Sequence, residues 1–165
     1  MTVIRGKVWK FGDNVNTDVM APGFAFNAPW EELKKVILHI HPKFTREAKP
    51  GDMIVAGKNW GCGSSREQAP ANLKRLGMGC VVAESFGRIY FRNSVALAFP
   101  SIVCPGVPGA FDEGDEVELD LESAQVRNLT KGKELKGEAL SKDMLGIIAK
   151  GGIIPALQER MGIKK

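Results

Sequence analysis

Met53-Ile54-Val55-Ala56-Gly57-Lys58-Asn59-Trp60-Gly61-Cys62-Gly63-Ser64-Ser65-Arg66-Glu67-Gln68-Ala69-Pro70 decides the fold. Its first four residues are all apolar and follow the turn Pro50-Gly51-Asp52, so they read as a short buried strand. A glycine loop and a helix come next. A second unit repeats that order, with Cys80 to Ala83 as a strand, Phe86 to Leu97 as a helix and Ser101 to Cys104 as a further strand. Strands alternating with helices predict an α/β fold with parallel pairing.

Upstream, Val3 to Phe11 alternates as a strand and Gly12-Asp13-Asn14 supplies turn chemistry. Val15 to Phe26 reads as irregular because of Pro22 and Gly23, and Pro29 with two acids behind it predicts a helix over Trp30 to Leu38. Downstream, Glu116 to Leu121 alternates strictly and Gln125 to Leu129 answers it as a hairpin partner. Asp112 to Glu122 carries seven acids and no base, which reads as a solvated face rather than a metal site. The tail from Ser141 to Met161 reads as a short apolar helix, a break at Gly151-Gly152 and a further turn or two of helix around Pro155. With neither repeats nor linkers, residues 1–165, at 17.9 kDa, are expected to form one domain.

No apolar run approaches the 18 or more residues of a membrane helix, and the opening Met-Thr-Val-Ile-Arg-Gly-Lys lacks a signal pattern, so a cytoplasmic chain off the membrane is expected. The net charge of +4 is too mild to argue for nucleic acid. Its distribution is more telling: Met1 to Phe111 holds 14 bases against 8 acids, whereas the remainder is net −2. A small anionic ligand therefore suits the first two thirds. Cys62, Cys80 and Cys104 are an odd number without a Cys-x-x-Cys pair, which excludes a disulfide framework and a zinc ribbon. Cys80 and Cys104 sit in apolar strands and read as core thiols, against the alternative that all three cysteines hold an iron–sulfur cluster.

Gly61-Cys62-Gly63-Ser64-Ser65-Arg66-Glu67 carries the chemistry. Its glycines allow the backbone to present successive N–H groups as an anion nest, and Ser64 to Glu67 spells a capping box that would open a helix. Arg66 adds a planar fork suited to carboxylate or phosphate. The spacing is neither a dinucleotide fingerprint nor a P-loop. Ser64 or Ser65 either caps the helix or does more: a ring of N–H donors beside a guanidinium would stabilise an alkoxide and permit proton abstraction. Pro70 argues for a helix that kinks or starts later than the box implies. His39 and His41 are two apart, which on a helix points them different ways, so no metal ligand is expected in this chain. Trp60, Phe86, Tyr90 and Phe91 read as core; Arg92 and Asn93 end this apolar-aromatic stretch, and Arg88 or Arg92 projects toward the same loop or toward solvent.

Gly12-Asp13-Asn14-Val15-Asn16-Thr17-Asp18, the segment Gly57 to Pro70 and Ala83 to Asn93, in this order, resemble the swivel domain of the aconitase superfamily. More narrowly the chain is similar to the small subunits of 3-isopropylmalate dehydratases over nearly its whole length. That resemblance implies a swivelling β/β/α three-layer domain and a reversible dehydration of a hydroxy-dicarboxylate in leucine biosynthesis. It implies a large subunit that carries a [4Fe–4S] cluster, none of it bound by this chain, and self-association of the chain when the partner is missing. It makes Ser64 the catalytic base, Ser65 and Arg66 substrate-carboxylate contacts, and Asp18 with Thr17 active-site residues. Cys62 falls at a variable position.

Two departures bear on substrate. Phe24-Ala25-Phe26-Asn27 occupy the loop that in the family touches the substrate's distal group, here shorter and without the Arg of relatives that take a third carboxylate. An apolar loop would leave that carboxylate unpaired, so isopropylmalate is expected, with 2,3-dimethylmalate or a methylmalate as the alternative. Gln68 stands where many members have His. A different class of function is a non-catalytic module whose nest holds a metabolite anion.

Overall fold

Alternation along short strands sorts the side chains of this protein into two cores, one on each face of a single sheet. The computed structural model describes residues 2–163. In chain order it contains β1 (Val3–Lys10), α1 (Thr17–Met20), α2 (Trp30–Leu33), α3 (Phe44–Glu47), β2 (Met53–Ala56), α4 (Gln68–Arg75), β3 (Cys80–Ala83) and α5 (Arg88–Ala96). There follow β4 (Ser101–Val103), α6 (Val107–Ala110), β5 (Glu116–Asp120), β6 (Gln125–Asn128), β7 (Lys133–Lys136), α7 (Lys142–Ala149) and α8 (Ile153–Arg160). The sheet order is β4-β3-β2-β1-β5-β6-β7, parallel from β1 to β4 and antiparallel from β1 through β5 to β7.

That order explains the layers. Each parallel strand is the neighbour of the one before it, so crossovers of the usual hand deliver their helices to one face only. On that face Trp9, Ile54, Ala56, Val81 and Ala83 pack with Leu73 of α4, Tyr90 of α5 and Phe44 of α3. The alternate residues Val8, Met53, Val55, Cys80 and Val82 share the other core with Val117, Leu119 and Val126 of the antiparallel half. The sheet curls so that one half covers the other, giving sheet, sheet and helices as three layers, as expected.

Several elements differ from the sequence reading. The helix from Trp30 ends at Leu33 rather than Leu38: Ile37 and Leu38 both go into the core, and Leu38, at φ +55, donates its N–H to the Val19 carbonyl at 2.7 Å. The segment from Val15 to Phe26 is not wholly irregular, since Asn16 caps α1 by accepting the Asp18 N–H at 2.8 Å and Gly23–Ala25 forms a 3-10 turn. β7 follows the hairpin and goes unread in the sequence because Lys133–Lys136 has a single apolar residue. Among the acids of residues 112–122, Asp115 and Glu118 are buried and paired, Glu118 with Arg5 at 2.6 Å and with Arg127 at 3.0 Å.

Candidate active site

The loops that leave β1, β2 and β3 come together at the C-terminal edge of the parallel strands, where open α/β sheets place their ligands. Backbone bonds lace them. Asn14 N–H reaches the Lys58 carbonyl at 2.8 Å, Gly61 N–H the Val15 carbonyl at 2.8 Å, and Trp60 N–H the Ser85 carbonyl at 3.0 Å. Beneath the glycine loop lies the ring of Tyr90. A Cβ on Gly61 would stand 2.2 Å from that ring, and Gly61 has φ +75, so the position requires glycine on both counts.

This lacing brings Thr17 and Ser64 face to face across 47 residues of chain. The two hydroxyl oxygens are 3.0 Å apart, and the Ser64 N–H donates to Thr17 Oγ1 at 3.0 Å. Next to them, Arg66 Nη1 donates to Asp18 Oδ1 and to the Ala21 carbonyl, each at 3.1 Å. The guanidinium also lies against Gly23, at the start of the Phe24 to Asn27 loop. Ser64, Arg66 and Asp18 are therefore gathered beside Gly23, where the apolar loop begins. Asn93 joins them from α5, its side-chain amide donating to the Ser65 carbonyl at 3.3 Å. Its polar side chain in an apolar-aromatic stretch was the only signal in the sequence.

Some expected roles do not survive the geometry. Thr17, expected at the substrate, is 1% exposed and turned to Ser64. Ala25 is buried under its loop, whereas Phe24, Phe26 and Asn27 are exposed. The capping box does not form: α4 starts at Gln68 with Glu67 as a cap that makes no side-chain bond, and the Ser64 hydroxyl is turned to Thr17. The late start puts Pro70 in the first turn, where its missing N–H costs no intrahelical bond. Gly61 and Gly63 have the positive φ of a nest, with Cys62 half-buried between them, but the N–H groups of Gly61 and Ser64 are already bound within the protein.

The cysteines do not fit an iron–sulfur cluster. Cys80 and Cys104 are sealed in the core, and burial pushes both thiols up, that of Cys104 to about 11, away from the thiolate that ligates iron. No group of three or more His, Cys, Asp or Glu side chains among the described residues stands close enough to share a metal ion. His39 Nδ1 faces the Val36 carbonyl and His41 Nε2 meets Glu113 at 2.5 Å. Among the described residues no helix is long and apolar enough to cross a membrane. A hollow of about 980 Å³, lined by Lys7, Trp9, Lys43 and Asp52, lies beside the opposite, N-terminal end of β2 and contains none of the site residues.

Residues 26–103 match the aconitase C-terminal domain. The chain is 46% identical to the isopropylmalate/citramalate isomerase small subunit of Methanocaldococcus jannaschii, over 97% of this chain and 96% of that one. It is 44% identical to a methanogen homoaconitase small subunit of Methanothermobacter thermautotrophicus, covering 92% of this chain and 89% of the relative. The crystal structure of a 3-isopropylmalate dehydratase from Methanocaldococcus jannaschii superposes with a TM-score of 0.90 at 36% identity, over 98% and 97% of the two chains. The chain belongs to the family of 3-isopropylmalate dehydratase small subunits, hydro-lyases of the aconitase superfamily.

Proposed function

We propose that this chain is the small subunit of a hydro-lyase that interconverts 2-isopropylmalate and 3-isopropylmalate by dehydration and rehydration, a step of leucine biosynthesis carried out in the cytoplasm. The observation that carries the reading is the placement of the Ser64 hydroxyl, 3.0 Å from Thr17, beside the Arg66–Asp18 pair at the strand ends. In this reading Ser64, as an alkoxide, takes the carbon-bound proton and becomes a hydroxyl, and returns that proton on rehydration. Arg66 binds a substrate carboxylate: Nη1 alone makes both of its internal bonds, so the rest of the fork faces the ligand. Asp18 orients that fork and Ser65 supplies a further polar contact.

A cluster-bearing large subunit completes the enzyme. The [4Fe–4S] group belongs to that partner, since the cysteines here do not fit one, and this chain contributes the base and the carboxylate contacts. Phe24 and Phe26, 79% and 56% exposed, follow Gly23, which the Arg66 guanidinium faces, and offer an apolar surface that suits the substrate's isopropyl group. No cation lies between Asp18 and Glu31 in sequence, so a third carboxylate of a homocitrate-like substrate would find no partner in this loop.

The test is anaerobic co-purification with the large subunit, then assay with 2-isopropylmalate, citramalate and homocitrate. Activity on isopropylmalate in the complex and in neither chain alone is expected, with Ser64→Ala keeping assembly and losing turnover by about a thousandfold or more. Wild-type turnover in that variant would overturn the role of Ser64, and a preference for homocitrate would overturn the substrate.

A further inference from the structure

We propose that the Thr17 hydroxyl donates a hydrogen bond to Ser64 Oγ and holds that oxygen ready to carry negative charge, which makes Thr17 a positioning residue for the base. The inference rests on the reading of Ser64 as the base.

Either hydroxyl can donate across the 3.0 Å contact, and the distances favour Thr17 as the donor. Thr17 Oγ1 accepts the Ser64 N–H at 3.0 Å, a bond in which the amide can only donate. A hydroxyl has one proton, and that of Thr17 has two acceptors in reach: Ser64 Oγ at 3.0 Å and the Ser64 carbonyl at 3.5 Å. The longer contact exceeds the range of a good O–H···O bond, and Thr17 is 1% exposed, which leaves water out. Ser64 Oγ, the nearer of the two acceptors, is the one assigned to the Thr17 proton. Its own proton is then turned away from Thr17, and once that proton is lost the oxygen can only accept, so the arrangement is the same before and after ionisation. An oxyanion keeps a donor that costs no rearrangement.

The donor is also rigidly mounted. Thr17 N–H reaches the Cys62 carbonyl at 2.9 Å, in a parallel bridge between Asn16 and Cys62. The Asn72 side chain, on α4, donates to the Met20 carbonyl at 3.0 Å and ties the end of α1 down. Gly63 allows the close approach, since a Cβ there would stand 3.3 Å from Thr17 Oγ1. Valine has the same shape but removes both the donor to Ser64 Oγ and the acceptor of the Ser64 N–H, so the pH profile and the thiol ionisation, rather than turnover alone, separate the two roles.

Two measurements test this. In the complex with the large subunit, Thr17→Val is expected to lower kcat about a hundredfold with little change in KM, to shift the ascending limb of the pH profile, the one set by ionisation of the base, to higher pH, and to be largely rescued by Thr17→Ser. Turnover within about threefold of wild type, or a loss with an unshifted profile that Ser does not rescue, overturns the inference. In the full chain by itself, Ser64→Cys places a thiol at the same point. Its ionisation, followed by iodoacetamide labelling of that peptide apart from Cys62, is expected to rise by about one pH unit on adding Thr17→Val. An unmoved thiol overturns the inference. Thr17→Ala, which adds no bulk, takes the place of Val if the latter does not fold. Should Ser64→Ala keep full turnover, the base reading fails whatever Thr17 does; should it abolish turnover while Thr17→Val changes nothing, only the present inference fails.

Discussion

Arg66 shows how one side chain is committed in two directions. Its Nη1 is held by Asp18 and by the Ala21 carbonyl, and on the reading proposed above the remaining donors of the planar fork bind the substrate carboxylate. Lysine has the charge without the fork. Arg66→Lys is accordingly expected to raise KM for isopropylmalate about tenfold or more, with a melting temperature near that of the wild type, measured by steady-state kinetics and thermal unfolding of the complex. At this scale much was legible: a serine beside glycines and an arginine speak of anion chemistry wherever they occur. The role of Thr17 was not, because it depends on a partner 47 residues away that only the fold supplies.

Among the elements, the strands were read well and the segments between them less so. Met53–Ala56 and Cys80–Ala83 are buried on both faces, and continuous apolar runs of that length say so directly. The capping box misled because its serine has a stronger use for its hydroxyl, and the helix over Trp30 was overextended because Ile37 and Leu38 fill the core from a turn. β7 carries almost no apolar signal at all. The glycine loop is where sequence and packing agree most tightly, so Gly61→Ala is expected to cost about 3 kcal/mol or more, from strain at positive φ and overlap with Tyr90. Urea unfolding checks it; a loss below about 1 kcal/mol would show that the Tyr90 ring moves aside freely.

Across the whole molecule, the antiparallel half closes the second core and brings its own electrostatics. Hydrogen bonding to Arg5 comes first in holding the Glu118 carboxyl below the usual range, with burial opposing it and Arg127 adding to it. For Asp115 burial acts upward, but the Asp112 backbone, Asn128 and Lys131 outweigh it and the carboxyl is again lowered. Carboxylates lowered in the folded state contribute stability that is present above their ordinary range and lost as the pH falls through the folded values. The fold is expected to weaken below about pH 4, and Glu118→Gln to flatten that decline in a series of thermal melts. A variant whose melting temperature falls with acid as steeply as the wild type would remove Glu118 from this account. The α/β class and the parallel pairing were legible from the two repeated strand-loop-helix units; the three-layer order, with the curl that closes the sheet over itself, was reached through family resemblance alone.

Because Thr17 and Ser64 meet only when β1 and β2 lie side by side, the site reports on that one pairing. Thr17 and Ser64, from the second and the seventh decade of residues, come together only once that pairing has formed, and a slip of one residue between the two strands would turn their side chains to the opposite cores and separate the two hydroxyls. On the reading of Ser64 proposed above, activity is in this sense a proofreader of register: a misaligned molecule is inert, its serine deprived of the neighbour that defines it.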